Sequence, residues 1–162
     1  MSSRRRNLVI VIAVVAGLAA AGAAAWLAQR KHVPPISADD RRQVALGATV
    51  YAARCAQCHG ANLEGQPDWQ QRRANGRLPA PPHDASGHTW HHPDEVLFGI
   101  TKNGMSPYAP ADYESDMPAF AGTLTDDEIA AAIAFIKSRW PPDIRARQAH
   151  INEQWNEQGV VP

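Results

Sequence analysis

Residues 51–60 read YAARCAQCHG, and they hold both cysteines of the chain, Cys55 and Cys58, with His59 directly behind the second. Four chemistries could use two thiols at this spacing. A disulfide between them would close a very short loop and add little stability. A thioredoxin-like redox pair wants a βαβ setting, whereas the flanking residues here read as helix. A zinc site needs four ligands, commonly from two separated pairs, and the chain has one pair. The fourth chemistry is covalent haem attachment, for which Cys-x-x-Cys-His is the sequence signal.

The haem reading explains the spacing. Two sulfurs three positions apart on a tight helical turn lie on one side of the chain and can form thioethers to two vinyl groups on one edge of a porphyrin. The next residue, His59, is then carried under the ring centre to bind iron. Its partner on the opposite face has to come from elsewhere, and a methionine sulfur there favours ferrous iron. Met1, Met105 and Met117 are the three methionines. Met117 lies 58 positions after His59, far enough for the chain to pass round a ring. Pro118 biases it toward extended backbone. Met105, in NGMSPYAP, is the competing ligand, with packing as its default role, and Met117 itself could be a core gap-filler.

On these residues the chain resembles a class I c-type cytochrome of the small bacterial mono-haem kind. GATVYAARCAQCHG (47–60) and the downstream SDMPAF (115–120) carry the resemblance, which covers roughly Arg41 to Trp140. It implies an all-α cytochrome c fold of three to five helices around one covalently bound haem c, with Cys55, Cys58, His59 and Met117 as the cofactor-binding residues and His59 and Met117 on the iron. It places the ligand at the Met117–Pro118 step. It also implies a close crossing of the first and last helices at Gly47 and Tyr51. In that family a proline-rich segment lines the histidine side of the haem, and a backbone carbonyl there accepts the free ring N–H of the ligand. Pro79, Pro81 or Pro82 could serve. The activity implied is electron transfer, by a carrier rather than an enzyme.

The helices follow from local signals. Residues 39–54 read as a helix with Asp39 and Asp40 where acids suit the dipole, and Val44, Ala48 and Tyr51 on one face. Thr125 to Trp140 opens on a capping box, Thr125 with Glu128. Ile129, Ile133, Ile136 and Trp140 form its apolar stripe, and Pro141–Pro142 ends it. Pro93 to Thr101 is a shorter helix with Val96, Leu97 and Ile100 inward. The tail has Ile144, Ile151 and Trp155 at spacings of seven and four, which suits a helix lying back on the domain or a partner contact.

The N-terminus differs in composition. Arg4, Arg5 and Arg6 precede 21 uncharged residues, Leu8 to Ala28, a length that as helix reaches roughly 30 Å. Trp26 near the end suits an interface, and Arg30 and Lys31 follow. Either an uncleaved membrane anchor or a cleaved signal segment fits, and both export the rest of the chain. The expected organisation is therefore a basic stub and transmembrane helix over 1–30, a linker over 31–38, a mono-haem domain over 39–142 and an extension over 143–162. The expected location is the cell membrane, single-pass, with the C-terminal domain in the periplasm or outside. Membrane respiratory complexes are the expected donor and acceptor.

From Ile36 onward 11 Lys and Arg face 16 Asp and Glu, a net charge of −5, which argues against nucleic acid as a partner. Arg72, Arg73 and Arg77 could pair with haem propionates, steer a partner or sit in a solvated loop. His83, His88, His91 and His92 crowd one segment and could hydrogen-bond, touch a propionate or bind copper or zinc. Three alternative functions remain compatible with the sequence: a haem enzyme or gas sensor with an open sixth position, a copper-handling or assembly protein, and a subunit of a larger oxidase or dehydrogenase.

Overall fold

The computed structural model describes residues 33–158. Among these the chain is all-α, with α1 over Arg41–Arg54, α2 over Ala56–His59, α3 over Asp94–Asn103, α4 over Asp126–Ser138 and α5 over Pro142–Gln158. Two 3₁₀ turns, Thr89–His91 and Ser106–Tyr108, lie in the long connections.

α1 starts where Asp40 caps it, its carboxylate accepting from the backbone N–H groups of Arg42 and Gln43 at 2.9 and 3.2 Å. Its buried face is Gly47, Val50 and Tyr51, so the apolar stripe runs through Val50 rather than Ala48. α1 packs on α4 at Gly47. A Cβ built there would overlap the carbonyl oxygen of Ala131 and come within 2.9 Å of the Phe135 Cβ. Only a residue without a side chain permits that approach.

α4 opens on the expected capping box. It buries Ile129 and Ile133 toward one apolar cluster, with Leu97, Phe98 and Phe120, and Ile136 toward another, with Tyr51, Leu63, Trp140 and Ile144. The helix ends at Ser138, two residues before Trp140, which is nonetheless buried and donates its indole N–H to the His83 carbonyl at 2.7 Å. In α3 the inward residues are Leu97, Phe98 and Gly99, not Val96 and Ile100.

The tail forms a 17-residue helix, α5, that lies on the domain. Ile144 and Gln148 are its buried residues. Gln148 Nε2 donates to Asp94 Oδ1 at 2.8 Å, while Lys137 Nζ meets both Asp94 oxygens at 2.7 Å. Asn152 Oδ1 accepts the Asp94 N–H at 2.8 Å. This polar knot joins α3, α4 and α5. Hydrophobic spacing alone misses it because its members are polar.

The apolar run Leu8–Ala28, and with it the expected transmembrane helix, lies outside the described residues. The membrane location drawn from it is corrected: among the described residues no helix is long and apolar enough to cross a membrane. The longest, α5, carries Asp143, Arg145, Arg147, Glu153 and Glu157 along its length, and charges so spaced do not enter hydrocarbon. The expectation of a single-pass protein with a periplasmic domain is withdrawn.

Candidate haem site

α1 and α2 are nearly one helix, broken at Cys55. The Cys55 N–H still donates to Tyr51 at 2.9 Å, but its backbone turns to φ −115°, and His59 N–H then donates to the Cys55 carbonyl at 2.9 Å. This tight turn holds Cys55 half-buried and Cys58 exposed, both as free thiols, and brings His59 inside. Gly60 ends the turn at φ 81°, a left-handed conformation that suits glycine. Its carbonyl accepts from the Tyr51 hydroxyl at 2.9 Å. Tyr51 thereby links the helix crossing to the end of the Cys-x-x-Cys-His turn, a role its position in the helix stripe does not announce.

Burial, and then the neighbouring Cys58, push the Cys55 thiol up to about 11. Reactive redox cysteines have the opposite character, a thiolate favoured by a depressed pKa. The thiol environment and the all-helical surroundings both oppose the redox-pair reading.

His59 Nδ1 lies 2.9 Å from the Pro81 carbonyl oxygen. A carbonyl only accepts, so Nδ1 carries the proton and Nε2 keeps its lone pair for a metal. Of the three prolines the resemblance offers, Pro81 occupies the position. Desolvation lowers the His59 pKa, partly opposed by that hydrogen bond, so the ring is held neutral, as a ligand must be.

His83, two residues past Pro81, stacks on the His59 ring, with centroids 4.0 Å apart and planes 23° from parallel. Its Nδ1 meets Thr89 Oγ1 at 2.7 Å. Burial, then the nearby His59 and His88, hold its pKa well below the usual 6.5. The sequence presents His83 as one of four crowded histidines; its two-residue separation from Pro81 is the signal that sets it apart. The others go elsewhere. His88 stacks with Trp69 and meets His92 edge-on, both at 5.5 Å, and His91 stacks on Trp90 at 3.7 Å. Among the described residues no group of three or more His, Cys, Asp or Glu side chains is arranged to hold a metal ion, so the copper or zinc reading of this segment finds no site there.

Met117 is half-buried, outside any helix, and packs against the Leu97–Phe98–Phe120–Ile129–Ile133 cluster. It lines a cleft of about 240 Å³ with Asn103, Gly104, Met105, Ser106, Tyr113, Ser115 and Ala119. Both candidate methionines thus face one cleft. Met105 has helical backbone (φ −74°, ψ −24°) and leads the Ser106–Tyr108 turn; Met117 lies outside any helix, directly before Pro118.

The residues fit a haem on one further count. The Trp90 indole N–H is buried with no hydrogen-bond partner, and Trp90 packs against the same cluster as Cys55 and Ala56. A buried donor without a partner is costly, and a haem carboxylate is the kind of group that would meet it.

The family model for cytochrome c matches residues 44–140, from the first turn of α1 to just past the end of α4. The chain belongs to the cytochrome c family. A curated relative, cytochrome c6 of Tetradesmus obliquus, is 32% identical over 94 residues, which is 57% of this chain and 86% of the relative. No solved structure matches. This cytochrome therefore carries covalent haem c, attached at a Cys-x-x-Cys-His motif, and transfers electrons with it. The matched span ends before α5 begins, so the helix that closes the polar knot lies beyond the span the family model matches.

Proposed function

We propose that this chain is a single-electron carrier whose one haem is bound by thioethers from Cys55 and Cys58, with His59 Nε2 and Met117 Sδ as the two axial ligands. The observation that carries the reading is the His59 ring: buried, neutral, and fixed by Pro81 so that the nitrogen free for iron is Nε2. When bound, the haem supplies a one-electron ferric–ferrous couple.

The chain's own residues supply the rest. Pro81 and His83 hold the His59 ring plane from two sides, so the ligand need not reorient when the charge on iron changes. Tyr51 anchors the end of the attachment turn through Gly60. Met117 enters from a segment outside any helix, where Pro118 disfavours helical backbone, and it packs against the cluster that contains Phe98. Cys58 is exposed and Cys55 half-buried, so a group attached to both would be reachable from the surface beside Cys58, where a donor or acceptor protein would meet it.

Met105 is the second reading for the sixth ligand, because it faces the same cleft. Visible spectra of the ferric haem-loaded protein separate the two. Met117→Ala is expected to abolish the far-red charge-transfer band of methionine-ligated haem and lower the potential, while Met105→Ala keeps both. The reverse pattern would move the role to Met105. Absence of the band from the unsubstituted protein would remove methionine from the iron and favour the sensor class.

A further inference from the structure

The three arginines of residues 66–80, though partly exposed, each meet a partner across the fold. Arg77 Nε donates to Glu114 Oε2 at 3.1 Å and its Nη1 donates to Asp116 Oδ1. Arg73 Nη1 lies 3.8 Å from Asp116 Oδ2. The Arg72 guanidinium sits 5.6 Å over the Tyr113 ring. All three contacted residues, Tyr113, Glu114 and Asp116, belong to 113–116, the segment that ends at Met117. Ser115 Oγ accepts the Met117 N–H at 3.1 Å.

The other end of the same loop reaches the opposite ligand. Gln66 N–H donates to the Ala80 carbonyl at 2.9 Å, and Gln66 Oε1 accepts the Ala80 N–H at 3.0 Å, closing the base of the loop. Gln66 Oε1 also accepts from Arg73 Nη2 at 2.7 Å. Within the loop, Arg73 N–H donates to the Arg77 carbonyl at 2.9 Å and Arg72 Nη1 to the Gly76 carbonyl at 2.6 Å. Ala80 is followed by Pro81, whose carbonyl holds His59. A path of covalent and hydrogen bonds therefore runs from His59 through Pro81, Ala80 and Gln66 to Arg73, and a longer ion pair carries it on to Asp116, the residue before Met117.

We propose that Arg77, with Arg73, is a positioning residue for the sixth ligand: the two guanidiniums clasp the Met117 segment to the loop that carries the carbonyl partner of His59. This rests on the Met117 reading above. A single exposed ion pair contributes little. Here one planar fork engages two carboxylates, Asp116 is shared with a second arginine, and the joined segments are 37 and 39 residues apart in sequence. The clasp acts on a segment of the site that no helix holds, so its loss raises the fraction of molecules in which Met117 has moved away. Because the pairs are half-exposed, salt weakens the clasp.

The test uses imidazole as a competing ligand on the ferric haem-loaded protein, titrated at low and at high sodium chloride. Arg77→Gln is expected to bind imidazole about five-fold more tightly than the unsubstituted protein at low salt. The difference should shrink at high salt, where the unsubstituted protein loses its own clasp. Asp116→Asn removes the shared acceptor and is expected to act in the same direction; it also stands in if Arg77→Gln fails to fold. Met117→Ala gives the reference for an open site. If Met117→Ala binds imidazole more tightly but Arg77→Gln and Asp116→Asn bind it as the unsubstituted protein does at low salt, the clasp is overturned and the Met117 reading stands. If Met117→Ala itself binds imidazole unchanged, the axial reading fails, and the clasp with it.

Discussion

Asp94→Ala should cost this cytochrome more stability than most single changes away from the haem. Lys137 Nζ is 2.7 Å from both Asp94 oxygens, and the side chains are only 10% and 18% exposed. Removing the carboxylate leaves an ammonium with nine-tenths of its surface out of water and no counter-ion, and takes an acceptor from Gln148 Nε2 at 2.8 Å. Breaking a buried pair from one side costs about 3–5 kcal/mol. The residual exposure of both partners puts this case at the lower end, about 3 kcal/mol. Replacing both partners should be far milder: Lys137→Met with Asp94→Ala removes the stranded charge as well, and is expected within about 1 kcal/mol of the unsubstituted protein. The assay is urea unfolding of the haem-loaded protein followed by far-ultraviolet circular dichroism. Because the pair joins α3, α4 and α5, the single variant should also expose α5 to limited proteolysis at low urea. A loss below about 1 kcal/mol for Asp94→Ala, or a double variant as unstable as the single, would refute the reasoning.

Two further changes test the scaffold that presents the site. Gly47→Val places a branched side chain against the Ala131 carbonyl and Phe135; overpacking of this kind costs about 1–3 kcal/mol or more, read as a lower urea midpoint. Tyr51→Phe removes the donor to the Gly60 carbonyl and should cost about 1 kcal/mol near neutral pH. Burial, the leading cause, raises the Tyr51 pKa above its usual 10.0. The unfolded chain therefore loses this proton first. The contribution is fully present below about pH 10 and fades as pH rises beyond it, so unfolding measured across the alkaline range should decline less steeply in Tyr51→Phe.

The helices were legible because each has its own local signature. The capping box at Thr125 and Glu128, the acid at Asp40 and the four-three spacing of isoleucines in α4 are short-range patterns, and the haem-attachment motif is the shortest of all. The errors fall where tertiary partners decide. Trp140 is buried beyond the end of α4 because His83 offers it a carbonyl, and Gln148 is buried because Asp94 and Asn152 meet it. His83 and Asp94 lie 57 and 54 residues away from the side chains they meet. The proline-rich segment narrows to Pro81 only in three dimensions, and the arginine loop finds its acids 37 and 39 residues away. His83 is the most instructive miss: its value lies in the ring it stacks on, and a cluster of four histidines draws attention to metals instead. The membrane expectation rested on Leu8–Ala28 alone, and no helix of the described residues repeats that composition.

The central claim is that one thioether sulfur, that of Met117, opposes His59 across the haem. The most direct measurement is the proton spectrum of the reduced protein, where the ring current shifts the ε-methyl of an axial methionine far upfield. One such three-proton resonance is expected in the unsubstituted protein and in Met105→Ala, and none in Met117→Ala. Its survival in Met117→Ala, or its absence from the unsubstituted protein, would contradict the account.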